Sequence, residues 1–276
     1  MAYNEIIYEK ADRIATVTMN RPDKSNAWTP RMGEELREAM LEADRDDNIR
    51  AIILTGAGKN FCAGADMGNL SGIAQGTQTP IARDHETKSK PANSEGGLPD
   101  SSNRYAWPLS LRTPTIAAIN GACVGMGLTL CLYYDIRLAS ERARLGLIFT
   151  QRGLAIEHGS SWMLPRLVGL GKAIEMAVTG QLLAASEALA AGLVTRVVPH
   201  DELLPAARQL ADQIASKCSP LGIAEAKRLV YKHQFTDLAT AIRDDDDAVG
   251  RMTRSEDFKE GIKAFLEKRP PNFVGR

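Results

Sequence analysis

The sequence runs Phe61-Cys62-Ala63-Gly64-Ala65-Asp66 in one place and Asn120-Gly121-Ala122-Cys123-Val124-Gly125-Met126-Gly127 in another. Both stretches put glycine between a predicted buried strand and a predicted helix. A helix start exposes N–H groups that have no partner within the helix, and the helix dipole favours an anion there. Glycine also lets a ligand approach the backbone closely. Each stretch alone is a weak indication of function, because glycine-rich turns of this kind are common.

The segments around these stretches alternate between strand and helix patterns. One helix is predicted to start after Thr29, with Pro30 at its first position, and another is predicted to end near Tyr134. The unit of strand, glycine-rich turn and helix therefore occurs twice, which predicts an α/β fold built from a repeated unit. Short β-branched or apolar runs predict strands at residues 14–19, 50–55, 114–120, 135–140, 144–147 and 194–198.

Helical patterns dominate from Ser160 onward. We expect a short helix capped by Ser186, and a last helix that begins at Ser255 and stops before Pro270. Between them, residues 201–218 and 220–233 have helical periodicity. These patterns divide the chain into a core at 1–200 and a C-terminal helical region at 201–276. Residues 68–106 lack apolar periodicity and are predicted to form a long surface loop, partly helical or disordered.

Composition and motifs exclude several function classes. The 276 residues contain 34 Lys and Arg and 34 Asp and Glu, so the formal net charge is zero. The chain therefore has no overall positive charge that would attract nucleic acid or a membrane surface. No apolar stretch approaches the roughly 18 residues of a membrane-spanning helix, and no signal peptide is apparent. Gly125-Met126-Gly127 lacks the third glycine of a dinucleotide-binding motif, which argues against a site of that kind. The chain also lacks the Gly-Lys-Ser/Thr sequence of a phosphate-binding loop. The four cysteines form no C-x-x-C pair and have no histidine at zinc spacing, which predicts no metal site. Three of them lie in apolar contexts and are predicted to be buried free thiols, which indicates a reducing, cytoplasmic compartment.

Further pieces follow in order along nearly the whole chain. They are Asn20-Arg21-Pro22 with Asn26-Ala27, and residues 51–56, 135–137, 153–154, 164–169, 190–194 and 260–265. Together with the two glycine-rich stretches, this ordered set resembles the crotonase superfamily, also called the enoyl-CoA hydratase/isomerase family. The resemblance implies an α/β fold: a crotonase-like spiral of repeated strand–strand–helix units. It also implies a C-terminal helical trimerisation region, which gives a homotrimer or a dimer of trimers.

The resemblance further implies an acyl-CoA substrate. Coenzyme A would then enter as part of the substrate, and no permanently bound cofactor is expected. The thioester oxygen would accept hydrogen bonds from the backbone N–H groups of Ala65 and Met126. Such donors stabilise the negative charge that develops on this oxygen when a proton next to the thioester is removed or added. Met126 narrows the pocket at a position where the family often has glycine.

This chain departs from the family pattern in the residues that would act as acid and base. Typical hydratases have two glutamates, and the matching positions hold Thr129 and Phe149 here. Glu157 instead occupies an acid position that some isomerases of the family use, and we expect it to be the catalytic acid/base. The alternative is a structural role, in which it caps the next helix or pairs with Arg152 or Arg166. His158 would assist Glu157, touch the substrate, or simply be hydrogen-bonded within the structure. Thr129 is a second candidate to assist Glu157 or to line the substrate pocket.

The resemblance also indicates where coenzyme A binds. It points to the backbone around Lys24, Ser25 and Ala63, with the Lys24 ammonium free to meet phosphates and Asp66 beside the first turn. A neighbouring subunit would offer Phe265 to the adenine and Lys268 to a phosphate. Ordinary helix packing and a solvated surface charge remain the alternatives for these last two residues. Trp107, Tyr105 and Phe149 are candidates to line the acyl end of the pocket, or to lie in the core.

Three functions stay open on the sequence. The first is an enoyl-CoA hydratase or isomerase with Glu157 as its single carboxylate. The second is another crotonase-type reaction, C–C cleavage or thioester hydrolysis, through the same enolate. The third is a non-catalytic acyl-CoA-binding subunit, which the loss of both usual glutamates makes conceivable.

Overall fold

The computed structural model of the chain describes residues 3–77 and 103–276. Its strands are β1 (Ile6–Ala11), β2 (Ile14–Met19), β3 (Ala51–Gly56), β4 (Thr115–Ile119), β5 (Ala122–Val124), β6 (Ile136–Ser140), β7 (Arg144–Gly146), β8 (Leu183–Ala184) and β9 (Arg196–Val198). Its helices are α1 (Pro30–Arg45), α2 (Met67–Ala74), α3 (Met126–Cys131), α4 (Ser160–Val168), α5 (Leu170–Thr179), α6 (Ala185–Ala190), α7 (Leu203–Lys217), α8 (Pro220–Lys232), α9 (Leu238–Met252) and α10 (Glu256–Leu266).

The main sheet has the strand order β1-β2-β3-β4-β6-β9. Only β1 and β2 run antiparallel, and all other neighbours are parallel. The central strand β3 is buried along its whole length, as expected for a parallel strand that is covered on both faces. Ile52 and Leu54 face the core under α1, whereas Ile53 faces the other side, where α7 packs with Leu203 and Ala207.

A smaller sheet of order β5-β7-β8 lies next to the main one. Because β3 and β4 are parallel neighbours, the segments that follow them leave the same edge of the main sheet. The segment after β3 pairs with β5 in parallel through Cys62 and Cys123. The fold therefore brings the two glycine-rich stretches side by side.

The predicted strands and helices are present, with some shifted ends. α3 stops at Cys131 instead of near Tyr134, because the N–H groups of Tyr133 and Tyr134 bond to carbonyls three residues back, at 3.1 and 3.2 Å. The buried guanidinium of Arg137 also donates to the carbonyls of Cys131 and Tyr134 at 3.4 and 2.6 Å. Ser186 lies inside α6 and is not its cap. The Glu187 carboxylate instead accepts the Ala184 N–H at 2.7 Å.

The predicted loop at 68–106 is partly helical. α2 begins at Met67, and the Asp66 carboxylate caps it by accepting the Gly68 N–H at 2.9 Å. Trp107–Ser110 forms a 3₁₀ turn whose first three residues are buried. Residues 78–102 lie outside the described part of the chain, so the surface loop there stays a prediction.

The C-terminal region is helical, as expected, and Ser255 caps α10 by accepting the Phe258 N–H at 3.0 Å. The boundary at residue 200 stays a prediction, and α7, just beyond it, packs on the main sheet. Cys62, Cys123 and Cys131 are buried free thiols and Cys218 is exposed. Across residues 3–77 and 103–276, no helix is long and apolar enough to cross a bilayer.

Candidate active site

The first turn, residues 61–66, is hydrogen-bonded on both sides. On one side the Trp28 N–H donates to the Gly64 carbonyl at 2.8 Å, and the Asp66 N–H donates to the Trp28 carbonyl at 3.0 Å. On the other side Cys62 exchanges hydrogen bonds of 2.9 Å with Ala122 and Val124. The Ala65 N–H, in contrast, has no acceptor within the described chain.

The second turn lies directly against the first. Gly125 has φ 53° and ψ −118°, a conformation open essentially to glycine alone, and it caps α3 without a side-chain hydrogen bond. A Cβ atom on Gly125 would lie 3.8 Å from Gly64 Cα. The Thr129 N–H donates to the Gly125 carbonyl at 2.9 Å, but the Met126 N–H has no acceptor among residues 3–77 and 103–276. The structure thus brings together two turns that each carry one unused amide donor.

The geometry of Gly64 gives a direct test of the first turn. Its φ is +102°, and an added Cβ would lie 3.2 Å from the Val124 carbonyl oxygen, so Gly64→Ala forces the turn to move. If the Ala65 N–H holds the substrate oxygen, kcat should fall about 10²–10³-fold, as for the loss of one oxyanion donor. The measurement is kcat on the best acyl-CoA substrate, with a melting curve to confirm folding.

Gly76→Ala is the matched control for Gly64→Ala. Gly76 also has a positive φ of 72°, but no atom lies within 4 Å of an added Cβ. This variant carries similar backbone strain away from the turn, and its kcat should stay within about twofold of wild type, because surface changes cost little. Equal losses in both variants would show that strain alone, and not the Ala65 amide, explains the effect.

Thr129 and Phe149 both lie at the second turn. Thr129 is one helical turn beyond Met126 and fully buried, and its hydroxyl has no hydrogen-bond partner among the described residues. Two ring carbons of Phe149 lie 3.8 and 4.0 Å from the position of a Cβ on Gly125. A buried hydroxyl without a partner is unusual, because burial without a hydrogen bond costs free energy. These positions therefore supply one hydroxyl and one apolar wall, and no carboxylate.

In the described residues, the Glu157 side chain neither caps the next helix nor pairs with Arg152 or Arg166. α4 begins after Gly159 without a side-chain cap, and the Arg166 guanidinium lies over the Trp162 ring at 3.7 Å. Within the described residues, the ion-pair partner of Glu157 is His158, whose Nε2 lies 3.3 Å from Glu157 Oε1. The Glu157 side chain is 36% exposed, so it is partly desolvated and still accessible.

The backbone around Glu157 is held at both carbonyls. The Ser160 N–H and hydroxyl donate to the Glu157 carbonyl at 3.0 and 2.7 Å. The Tyr133 hydroxyl, three residues before the start of β6, donates to the His158 carbonyl. Burial raises the pKa of Tyr133 to about 12, so this hydroxyl keeps its proton. At the other end of the segment, the Leu154 N–H donates to the Phe149 carbonyl at 2.9 Å, which ties it to the second turn.

The residues expected to bind coenzyme A fall into two groups. Lys24 is exposed, and the Ala63 N–H donates to the Ser25 carbonyl at 3.1 Å, so these positions form one surface beside the first turn. Phe265, near the end of α10, is 82% exposed, and Lys268 is exposed two residues after the helix ends. Their roles toward a neighbouring subunit stay predictions.

Asp66 and Arg21 support the first turn together. The Arg21 guanidinium donates to Asp66 Oδ2 at 3.0 Å and to the Ala27 carbonyl at 2.6 Å. Burial by itself would raise the pKa of Asp66, but the hydrogen bonds from Arg21 and the Gly68 N–H lower it below its usual value. No role was assigned to Arg21 from the sequence, because nothing local connects it to a residue 45 positions away.

Asp135 has a structural role in the described chain. Its Oδ2 accepts hydrogen bonds from the Thr115 N–H at 2.7 Å and the Lys227 ammonium at 2.8 Å. Its Oδ1 accepts from the Tyr231 hydroxyl at 2.9 Å. Burial, and then the Asp135 charge, raise the pKa of Tyr231 well above its usual value, so that hydroxyl stays protonated. Asp135 therefore fastens α8 to the main sheet.

Comparison with known proteins finds relatives of one family along nearly the whole chain. A family model described as enoyl-CoA hydratase/isomerase matches residues 9–276. The chain is 34% identical over 280 residues to the crotonyl-CoA hydratase of Syntrophomonas wolfei, with 100% of both covered. It is 32% identical over 271 residues to the 1,2-epoxyphenylacetyl-CoA isomerase of Escherichia coli, with 95% of each covered. The crystal structure of an enoyl-CoA hydratase from Bacillus anthracis superposes with a TM-score of 0.87 at 32% identity, covering 99% of this chain and 100% of that one.

The layered α/β architecture with its two adjoining turns therefore defines a crotonase-fold protein. This confirms the fold class expected from the ordered motifs. The chain belongs to the enoyl-CoA hydratase/isomerase family, and it is an enzyme of that family. In the described residues no group of three His, Cys, Asp or Glu side chains is arranged to hold a metal ion.

Proposed function

We propose that this enzyme binds an acyl-CoA, holds its thioester oxygen with the backbone N–H groups of Ala65 and Met126, and moves a proton on the acyl chain with Glu157. Acyl-CoA processing of the hydratase/isomerase type is common to the family that the chain matches. The observation that carries the finer proposal is the contact between the two turns, each with an amide donor that no described residue uses.

The proposed proton transfer requires hydrogen-bond donors at the thioester oxygen. Removing a proton next to a thioester puts negative charge on the carbonyl oxygen, and fixed donors stabilise it without reorganisation. Each donor contributes roughly 2.7–4 kcal/mol to the transition state. Main-chain donors held by strand pairing on both sides, as in residues 61–66, satisfy this requirement for preorganisation.

Movement of a double bond is the reaction that the acid/base group favours. A single carboxylate can take a proton from one carbon and return it to another, for example in converting a 3-enoyl to a 2-enoyl thioester. Thr129 and Phe149 offer no carboxylate at the second turn. Hydration is the second candidate, because a crotonyl-CoA hydratase is among the relatives that the chain matches.

Coenzyme A would lie along the surface of Lys24, Ser25, Ala63 and Asp66, and Phe265 and Lys268 of a neighbouring subunit would complete the site. A homotrimer or a dimer of trimers is the proposed assembly. Apolar side chains left exposed on three helices support it: Leu170, Ile174 and Val178 on α5, Leu238, Ile242 and Val249 on α9, and Phe258, Ile262 and Leu266 on α10. The buried free thiols fit the proposed cytoplasmic location.

An acyl-CoA panel tests the proposal. The purified enzyme is incubated with 2-enoyl-, 3-enoyl-, 3-hydroxyacyl- and saturated acyl-CoA thioesters, and products are followed by mass and by the conjugated-enoyl absorbance. Isomerisation of a 3-enoyl thioester makes the conjugated-enoyl band appear at constant mass, whereas hydration of a 2-enoyl thioester removes the band and adds the mass of water. Fragmentation into two acyl products would indicate C–C cleavage, and release of free coenzyme A would indicate thioester hydrolysis. Tight binding without any product would contradict the proposal in favour of a binding subunit.

A further inference from the structure

A stack of side chains stands next to the proposed acid/base group. The Tyr105 ring lies flat on the His158 imidazole, with ring centroids 3.6 Å apart and planes inclined by 25°. The His158 imidazole in turn places Nε2 at 3.3 Å from Glu157 Oε1. Tyr105 is 8% exposed and the His158 side chain is 10% exposed, so both rings are largely buried behind a carboxylate that solvent can reach.

The backbone on both sides of this stack is fixed. Asn103 Oδ1 accepts the N–H groups of Tyr105 and Ala106 at 3.1 and 2.8 Å, which holds the start of the segment that carries Tyr105. His158 has a positive φ of 54° and is held at its carbonyl by the Tyr133 hydroxyl. Histidine tolerates this left-handed conformation better than most side chains do. The two rings therefore meet because two distant parts of the chain are each anchored.

A glutamate needs such support if it is to transfer protons efficiently. Its side chain has three rotatable bonds, and a partly exposed carboxylate without a fixed neighbour samples several positions. Proton transfer requires approach to about 2.6–3.2 Å, and a misplacement of about 1 Å can cost roughly 10²-fold in rate. His158 Nε2 lies 3.3 Å from Oε1, within ion-pair distance, and so places a polar neighbour beside this carboxylate oxygen.

We propose that Tyr105 and His158 are positioning residues for Glu157. The Tyr105 ring fixes the plane of the imidazole, and His158 Nε2 fixes one carboxylate oxygen, so that the other oxygen is presented to the acyl chain. This inference rests on the proposed function and adds two residues to it that do not touch the reacting atoms themselves.

Substitutions that keep or remove the stack separate positioning from substrate binding. Tyr105→Leu removes the ring, and we expect kcat to fall about 10–100-fold while KM changes less than about threefold, since orientation of the acid/base is lost and thioester binding is not. Tyr105→Phe keeps the ring and should stay within about twofold of wild type. His158→Phe keeps a stacking ring but loses Nε2, and its kcat should fall as in Tyr105→Leu.

Phe235→Leu is the matched control, because Phe235 also stacks on a ring, that of Trp162, at 4.8 Å and 10°. Its kcat should be unchanged at equal folding, which melting curves verify for every variant. A double-mutant cycle with Glu157→Gln, measured in single turnovers with excess enzyme, gives the decisive comparison. If Tyr105 acts through Glu157, Tyr105→Leu has no further effect on the residual rate of Glu157→Gln.

Two results overturn the inference while leaving the proposed function standing. One is a Tyr105→Leu variant with wild-type kcat, and the other is a loss that persists in full in the Glu157→Gln background. A wild-type enzyme that turns over no member of the acyl-CoA panel overturns the proposed function itself, and this inference with it. The two failures are therefore distinguished by the wild-type assay alone.

Discussion

Glu157→Gln should lower kcat by about 10²–10⁴-fold on whichever acyl-CoA the enzyme converts, the range that a positioned general acid/base contributes. Glutamine has nearly the same size and keeps polar contact with His158, but it cannot take up and return a proton. The proposed donors for the thioester oxygen, Ala65 and Met126, belong to the backbone and are untouched by the change. The loss should therefore fall on kcat, whereas binding of coenzyme A should change by less than about twofold.

Turnover and binding need to be measured on the same preparations, kcat by the enoyl absorbance and binding of free coenzyme A by calorimetry. Glu175→Gln is a suitable control because the Glu175 side chain is exposed and pairs with Lys172 on the surface of α5, at 2.7 Å. It should retain wild-type kcat. Full activity in Glu157→Gln would assign Glu157 a structural role and strengthen the case for C–C cleavage or thioester hydrolysis.

Asp135→Ala should lower the free energy of unfolding by about 3–5 kcal/mol, the usual cost of removing one partner of a buried ion pair. The side chains of Lys227 and Asp135 are only 7% and 15% exposed. Without the carboxylate, the Lys227 ammonium keeps only two long contacts, at 3.5 and 3.4 Å, to the carbonyls of Pro108 and Thr113. A buried cation with so little compensation is costly, and the Tyr231 hydroxyl loses its acceptor as well.

Urea unfolding at a fixed protein concentration measures this loss as a shift of the transition midpoint. Lys172→Ala, which breaks the exposed pair with Glu175, should cost less than about 1 kcal/mol. The double variant Asp135→Ala/Lys227→Met should recover part of the stability, because an apolar side chain replaces the unpaired charge. A single variant as stable as wild type would mean that water replaces the carboxylate at this joint.

Local patterns were sufficient to predict much of the fold. The apolar run at 50–55 predicted the strand observed as Ala51–Gly56, and Thr29 with Pro30 marked the start of α1. Asp66 directly precedes the helix that follows the first turn, and its carboxylate accepts the N–H of Gly68, two residues further on. These features depend on neighbours within a few residues, and such neighbours are visible in the sequence.

Contacts between distant segments could not be predicted in the same way. The support of Asp66 depends on Arg21, which lies 45 positions earlier in the chain. Tyr105 stacks on His158 across 53 positions, and its ring alone did not distinguish a core residue from a residue at the site. In each of these cases, the partner is determined by packing and not by spacing along the chain.

The backbone of residues 61–66 is hydrogen-bonded on both sides, and this affects how the substrate range of such an enzyme can change in evolution. The proposed anion donors are main-chain N–H groups, so no exchange of side chain deletes them, except a change to proline, which lacks the N–H, or one that distorts the turn itself. The side chains of Ala65 and Met126 are therefore open to selection for the shape of the acyl group. A new substrate range can evolve at these positions while the proposed backbone donors to the enolate are inherited unchanged.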